Sequence, residues 1–151
     1  MKNAKALRAQ IATLSLAMTD FDPDSVLSVL RNFMVPDATV HLCHPFGDIV
    51  GPQALYDLAY APLLIAFPDL ERRDWIISIG TDADGADWIG CGGHYVGTFV
   101  SPFLDIPPTG HLAHMRFHEF YRVVDGKAVE MQAIWDLSLI HISEPTRPYS
   151  I

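Results

Sequence analysis

The stretch MRFHEFYRVVDGKAVEMQAIWD, residues 115–136, sets one carboxylate among apolar neighbours: Glu119 alternates with Phe117 and Tyr121. The stretch reads as two strands joined by an Asp-Gly turn. Closed as a three-residue turn with a glycine bulge, it pairs Val123 with Lys127, Glu119 with Met131, Phe117 with Ala133 and Met115 with Trp135. One face then carries Met115, Phe117, Glu119, Tyr121, Val129, Met131, Ala133 and Trp135, while the other carries His114, Arg116, His118, Phe120, Glu130, Gln132, Ile134 and Asp136. The first face suits the wall of a pocket. A carboxyl alone there loses hydration, which disfavours its ionised form and suits it to general acid or base work. Two readings stay open at this point. Glu119 is a catalytic acid/base with Phe117, Tyr121, Met131 and Trp135 as substrate-binding walls, or it is a strand residue that reaches the sheet end or pairs with an arginine.

Further groups could serve the same pocket. His94 and Tyr95 are adjacent in a strand, so at most one of them faces inward. Tyr56 and Tyr60 lie one helical turn apart and can both look into a cavity, with core packing as the alternative. His118 becomes the acid/base only if the hairpin slips by one residue, which swaps the faces. His44, with Asp48, stands in a loop that can close the cavity mouth. A metal is not expected. His41 and His44, or His111 and His114, are three strand positions apart and face opposite ways. His114 and His118 share a face but lie roughly 13 Å apart. No cofactor is implied.

These residues need elements to hold them. Leu7, Ile11, Leu14 and Met18 recur at helical spacing, which predicts an amphipathic first helix in preference to a signal peptide. Asp22 and Pro23 cap a second helix, with Val26, Leu27, Leu30, Phe33 and Met34 as its stripe and Pro36 as its end. A short strand, ATVHLC, and the loop HPFGDIVGP lead into a third helical segment, kinked or broken at Pro62. Strands follow over 72–79, 88–99, 111–124 and 127–136. Helices first and an antiparallel meander after them predict an α+β domain, with three N-terminal helices packed on one face of a cone-shaped curved sheet and a pocket between the layers.

With 151 residues, half of them hydrophobic, the chain fits one domain with a full core. Its formal net charge of −8 argues against nucleic acid and anionic membrane as partners and leaves a small hydrophobic molecule open. No run reaches the roughly 18 apolar residues of a membrane span. Cys43 and Cys91 are isolated, which suggests two packing thiols in a reducing cytoplasm.

In order along the chain, Ile106 to Gly110 (IPPTG), Tyr121-Arg122, Asp125-Gly126-Lys127, Val129-Glu130 and Trp135-Asp136 resemble the SnoaL-like polyketide cyclases of the nuclear transport factor 2-like superfamily. GHYVGTF resembles that family's G-x-x-x-G-x-F strand, and FPDLERRDW its F-P-D-L segment. The resemblance spans most of residues 20–136. It implies a conical α+β barrel, often a homodimer, enclosing an apolar cavity in which aldol-type ring closure or double-bond migration proceeds without a cofactor. A non-catalytic binding or dimerisation domain on the same fold is the alternative. The resemblance also puts an acid at Glu119, and places Tyr95 where the family frequently has a His, making Tyr95 the preferred donor to a substrate oxyanion. The family's V-E-H-W-D ending is absent, because Met131, Gln132 and Ala133 stand there. The limonene epoxide hydrolases of this fold use an acid near Ala133 and an Arg-x-Asp in the preceding long strand; GCGGHYVG holds no such triplet, which disfavours that chemistry.

Residues 137–147, LSLIHISEPTR, resemble the translation of a common transposase-type sequencing adapter. The expected division is therefore a SnoaL-like domain over 1–136, truncated at its C-terminus, and an adapter-derived tail over 137–151.

Overall fold

The computed structural model describes residues 4–141. The predicted amphipathic helix is α1 (Ala4–Thr19), with Leu7, Ile11, Leu14 and Met18 buried. Helix α2 (Pro23–Phe33) starts as its sequence dictates: the Asp22 side chain accepts a bond from the Ser25 amide at 3.0 Å, and Pro23 occupies the first turn, where its missing N–H costs nothing. It ends earlier than Pro36. Strand β1 (Met34–Leu42) begins at once, taking in both Met34 and Pro36.

Strand β2 (Asp48–Val50) lies within the segment read as loop and pairs antiparallel with β1. The third helix, α3, is continuous across Pro62 and not broken there. It consists of Pro52–Leu55, a π turn over Tyr56–Tyr60 and Ala61–Ala66. Proline cannot donate the regular helical bond and crowds the carbonyl four residues back, so the helix widens ahead of it. Tyr56 is consequently half-buried, while Tyr60 faces fully into the core.

Strands β3 (Glu71–Thr81), β4 (Asp87–Thr98), β5 (Leu112–Val124) and β6 (Lys127–Trp135) complete a six-stranded curled sheet in the order β2-β1-β6-β5-β4-β3. All neighbours are antiparallel except β1 and β6. The β5–β6 hairpin closes through two residues, Asp125 and Gly126, both at positive φ, and not through three. The bulge falls instead between Arg122 and Val123 and their partners. Glu119 therefore faces Ala133, Phe117 faces Trp135 and Tyr121 faces Met131.

This register differs by two residues from the sequence expectation, and an even shift keeps every side chain beyond the bulge on its face. Val129 is the exception: it is only half-buried, and Ala128 takes the inward place. The helices cover the concave face, α1 lying over β3. Among the described residues no helix is long and apolar enough to cross a membrane. Residues 142–151 of the adapter-like stretch lie outside the described residues; of the rest, Ile140 is buried against the core.

Candidate functional site

Strict alternation along β5 turns Met115, Phe117, Glu119 and Tyr121 inward and His114, Arg116, His118 and Phe120 outward. Glu119 is fully buried, and it is not alone. Its Oε1 accepts bonds from Arg72 Nη1 at 2.7 Å and from the Tyr121 hydroxyl at 2.8 Å. Its Oε2 accepts from the Tyr95 hydroxyl at 2.8 Å and from Trp135 Nε1 at 3.0 Å. Four donors thus fill the acceptor sites of one carboxylate. This is the arginine-paired reading of Glu119 with three further partners added.

Arg72, on β3, is 2% exposed and holds the cluster together. Its guanidinium stacks on the Phe117 ring, Cζ lying 4.2 Å from the ring centroid, and Nη1 also donates to Tyr95 at 2.8 Å. On the other side Nε meets both oxygens of Asp74 at 3.3 Å. Burial alone would favour a neutral guanidine, yet Glu119, Tyr95, Tyr121 and Asp74 outweigh it and hold Arg72 well above its ordinary value. The cation is permanent.

The direction of each bond follows from the chemistry of the partners. A carboxylate only accepts and a guanidinium only donates. Tyr95 must therefore give its one proton to Glu119 and accept from Arg72, so at the 3.1 Å contact between the two hydroxyls Tyr60 is the donor. Burial pushes the phenols of Tyr60, Tyr95 and Tyr121 upward, so all three keep their protons and act as donors. Opposite Glu119 on β4 stands Cys91, whose thiol burial pushes up to about 12. Cys43 and Cys91 are both free thiols.

A model of the SnoaL-like polyketide cyclase family matches residues 12–141. The chain belongs to that family. Among solved structures it is similar to IdmH of Streptomyces antibioticus, a candidate polyketide cyclase, at 25% identity and a TM-score of 0.70, over 88% of this chain and 94% of that one. A candidate SnoaL-like polyketide cyclase from Jannaschia sp. CCS1 matches at 22% identity and a TM-score of 0.70, over 90% and 94% of the two chains. AclR of Streptomyces galilaeus, a candidate hydroxylase, matches at 21% identity and a TM-score of 0.66, over 87% and 75%. The last two likenesses bear on the fold alone. A comparison with curated proteins gives no match.

Within this SnoaL-like domain the structure brings Glu119, Tyr95, Tyr60, Phe117, Tyr121, Met131 and Trp135 together on the concave side, all buried. It separates the others. His118 is exposed on the convex face, beside Gly92 and Ile76, because the register shift is even. Tyr56, at the start of the π turn, is half-buried, and the charges that act on its hydroxyl are Asp24, Asp57 and Asp22 and not Glu119. His44 is exposed at the end of the cone where β1, β4 and β6 finish. There it lines a cleft of about 430 Å³ with Pro45, Leu104, Asp105, Ile106 and Leu137. Asp48 turns from the mouth to His41, 2.8 Å away. Among the described residues no three His, Cys, Asp or Glu side chains gather as metal ligands.

Sequence reasoning missed Arg72. GCGGHYVG on β4 holds no Arg-x-Asp, whereas Arg72-Arg73-Asp74 supplies that triplet on β3, with Arg72 bridging Asp74 and Glu119. The available signal was the pair Arg72-Arg73: consecutive strand residues face opposite sides, so one of the two had to point inward and needed an acid.

Proposed function

We propose that this SnoaL-like protein is a cofactor-independent acid/base enzyme of the polyketide cyclase type, with Glu119 moving a proton next to the carbonyl of a hydrophobic substrate. The observation that carries this reading is the position of the Arg72–Glu119 pair. A charged pair at 2.7 Å with both side chains at 0% exposure lies between sheet and helices, where an apolar pair of equal volume would be at least as stable. The aromatic rings of Tyr60, Phe117, Tyr121 and Trp135 around it suit an apolar, ring-bearing ligand.

Proton transfer requires one donor to leave the carboxylate. Trp135 Nε1 makes the longest of the four bonds, and its ring continues through Phe46, 5.5 Å away between centroids, toward the loops of the mouth cleft. A substrate entering there displaces Trp135 from Oε2 and exposes a lone pair. The tyrosines, holding their protons, stay donors throughout.

The test needs no knowledge of the product. Deuterium incorporation next to the carbonyl of 2-tetralone and of methyl esters of aromatic ketones is followed in D2O by NMR. Wild-type protein is expected to accelerate exchange, and Glu119→Gln to lower the rate about 10²- to 10⁴-fold with an unchanged circular dichroism spectrum. Equal rates in the two proteins would end the reading. One observation favours a second reading, a non-catalytic binding or dimerisation domain: every acceptor site of Glu119 is already filled from within the chain. Under it the same ligands bind and no exchange occurs.

A further inference from the structure

The donors around Glu119 can be counted. Trp135, Tyr121 and Tyr95 each spend a single N–H or O–H on the carboxylate, and Tyr60 spends its own on Tyr95. Tyr95 is therefore not free to hold a substrate oxyanion. Arg72 has five N–H groups. Nε serves Asp74, and the two on Nη1 serve Glu119 and Tyr95. The Nη2 nitrogen is buried and has no hydrogen-bond partner. Asp74 Oδ1 lies 3.2 Å from it, close enough for an ion pair, but no N–H of Nη2 is aligned on that oxygen. The Cys91 thiol, on which Arg72 also acts, is a weak acceptor. A buried cationic donor whose near acceptors are one misaligned carboxylate oxygen and a thiol is incompletely satisfied and gains from a better-placed acceptor.

We propose that the Nη2 edge of Arg72 is the contact for an anionic substrate oxygen, which makes the substrate class a carbonyl compound whose oxygen becomes an enolate or a phenolate. For its chemistry, though not for its binding, this rests on the acid/base reading of Glu119. The C–H bond beside the carbonyl breaks, its proton goes to Glu119, and its electron pair moves onto the carbonyl oxygen. Nη1 and Nη2 share one carbon, so an oxygen on Nη2 sits beside the carboxylate that takes the proton. As Glu119 becomes neutral, the Arg72 cation, unchanged, pairs with the new oxyanion in place of the carboxylate.

The probe is 4-nitrophenolate, read by its absorbance, with 4-nitroanisole as a neutral ether of similar shape. Glu119→Gln imitates the state after proton transfer and is expected to bind the phenolate about 10- to 100-fold more tightly than wild type. Adding Arg72→Met to Glu119→Gln is expected to cancel that gain by a similar factor and to leave the ether unaffected. This double variant leaves neither member of the Arg72–Glu119 pair charged; Asp74 loses its partner, so urea unfolding of the variant checks that the fold is retained. Arg72→Lys in the same background keeps the cation, removes the planar second edge and gives the same direction of loss. Undiminished phenolate affinity in both double variants, or equal affinity for phenolate and ether in every form, would mean that Nη2 holds only a water and would overturn the proposal. Failure of the acid/base reading looks different: the phenolate pattern stands and wild type catalyses no deuterium exchange.

Discussion

The two faces of the β4–β5–β6 sheet are made from alternate residues of the same strands, yet they treat polar groups in opposite ways. On the concave face Glu119, Arg72 and three tyrosines are dry, and nearly every donor and acceptor has one defined partner. On the convex face the polar pairs are partly exposed, as Arg122 with Glu130 at 3.3 Å, and apolar groups mix among them. Phe120 is 47% and Ile134 60% exposed, and His94 packs edge-on against Trp75 and His114 with ring centroids 4.1 and 5.6 Å away. Burial, followed by His114 and Arg116, holds His94 below its ordinary value. His118 and Glu119 are adjacent in the chain, and parity alone decides which side chain meets water and which the cluster. Composition therefore says little about where chemistry sits; the face does.

Removing a charge should separate the faces most sharply. Arg72→Met leaves Glu119 buried without its cation and is expected to cost about 3–5 kcal/mol in urea unfolding. Arg122→Met, which breaks the half-exposed Arg122–Glu130 pair at 3.3 Å, should cost less than about 1 kcal/mol. Similar losses at the two sites would erase the distinction.

A single hydroxyl is the next lever. Tyr121→Phe removes one donor from Glu119 and should cost about 1–3 kcal/mol, since a buried acceptor loses its partner. On the other face Ile134→Lys should change stability by no more than about 0.5 kcal/mol. A larger loss that grows on dilution would mean that a second copy of the chain covers the convex face.

The smallest expected effect lies at the rim. Asp69 accepts from the Thr98 amide at 2.7 Å and from its hydroxyl at 2.8 Å, tying the end of β4 to the turn before β3. Partial burial tends to raise the Asp69 carboxyl, and the Thr98 bonds outweigh it and hold it below 3.8. A folded-state value below the unfolded one gives stability that is present above pH 3.8 and lost as pH falls through the folded value. Asp69→Asn should therefore cost under about 1 kcal/mol at neutral pH, and the gap from wild type should close in acid.

Much of this was legible in the chain. The apolar stripe of α1 and the cap of α2 are local signals, and β5 alternates so strictly that the inward place of Glu119 survived a register error of two residues. What stayed hidden depends on distance or on compensation. Arg72 and Glu119 are 47 positions apart, and the Arg72-Arg73 pair signals an inward arginine without saying which acid meets it. Pro62 reads locally as a breaker, whereas α3 absorbs it by widening. Strand β2 has three residues and exists only because β1 offers it an edge. The two-residue turn and the three-residue turn share the same Asp-Gly signal, so the site of the bulge was not fixed by that signal.

The parallel pairing of β1 with β6 has a consequence for synthesis. The strand that flanks β1 opposite β2 is the last of the described strands to leave the ribosome, so the first strand waits with an open edge while β3, β4 and β5 are made. During that interval β1 is a target for other nascent chains. Its short hairpin partner β2 covers only the other edge, and within β1 Pro36, which has no N–H to offer, interrupts the ladder a foreign strand could build until residues 127–135 arrive.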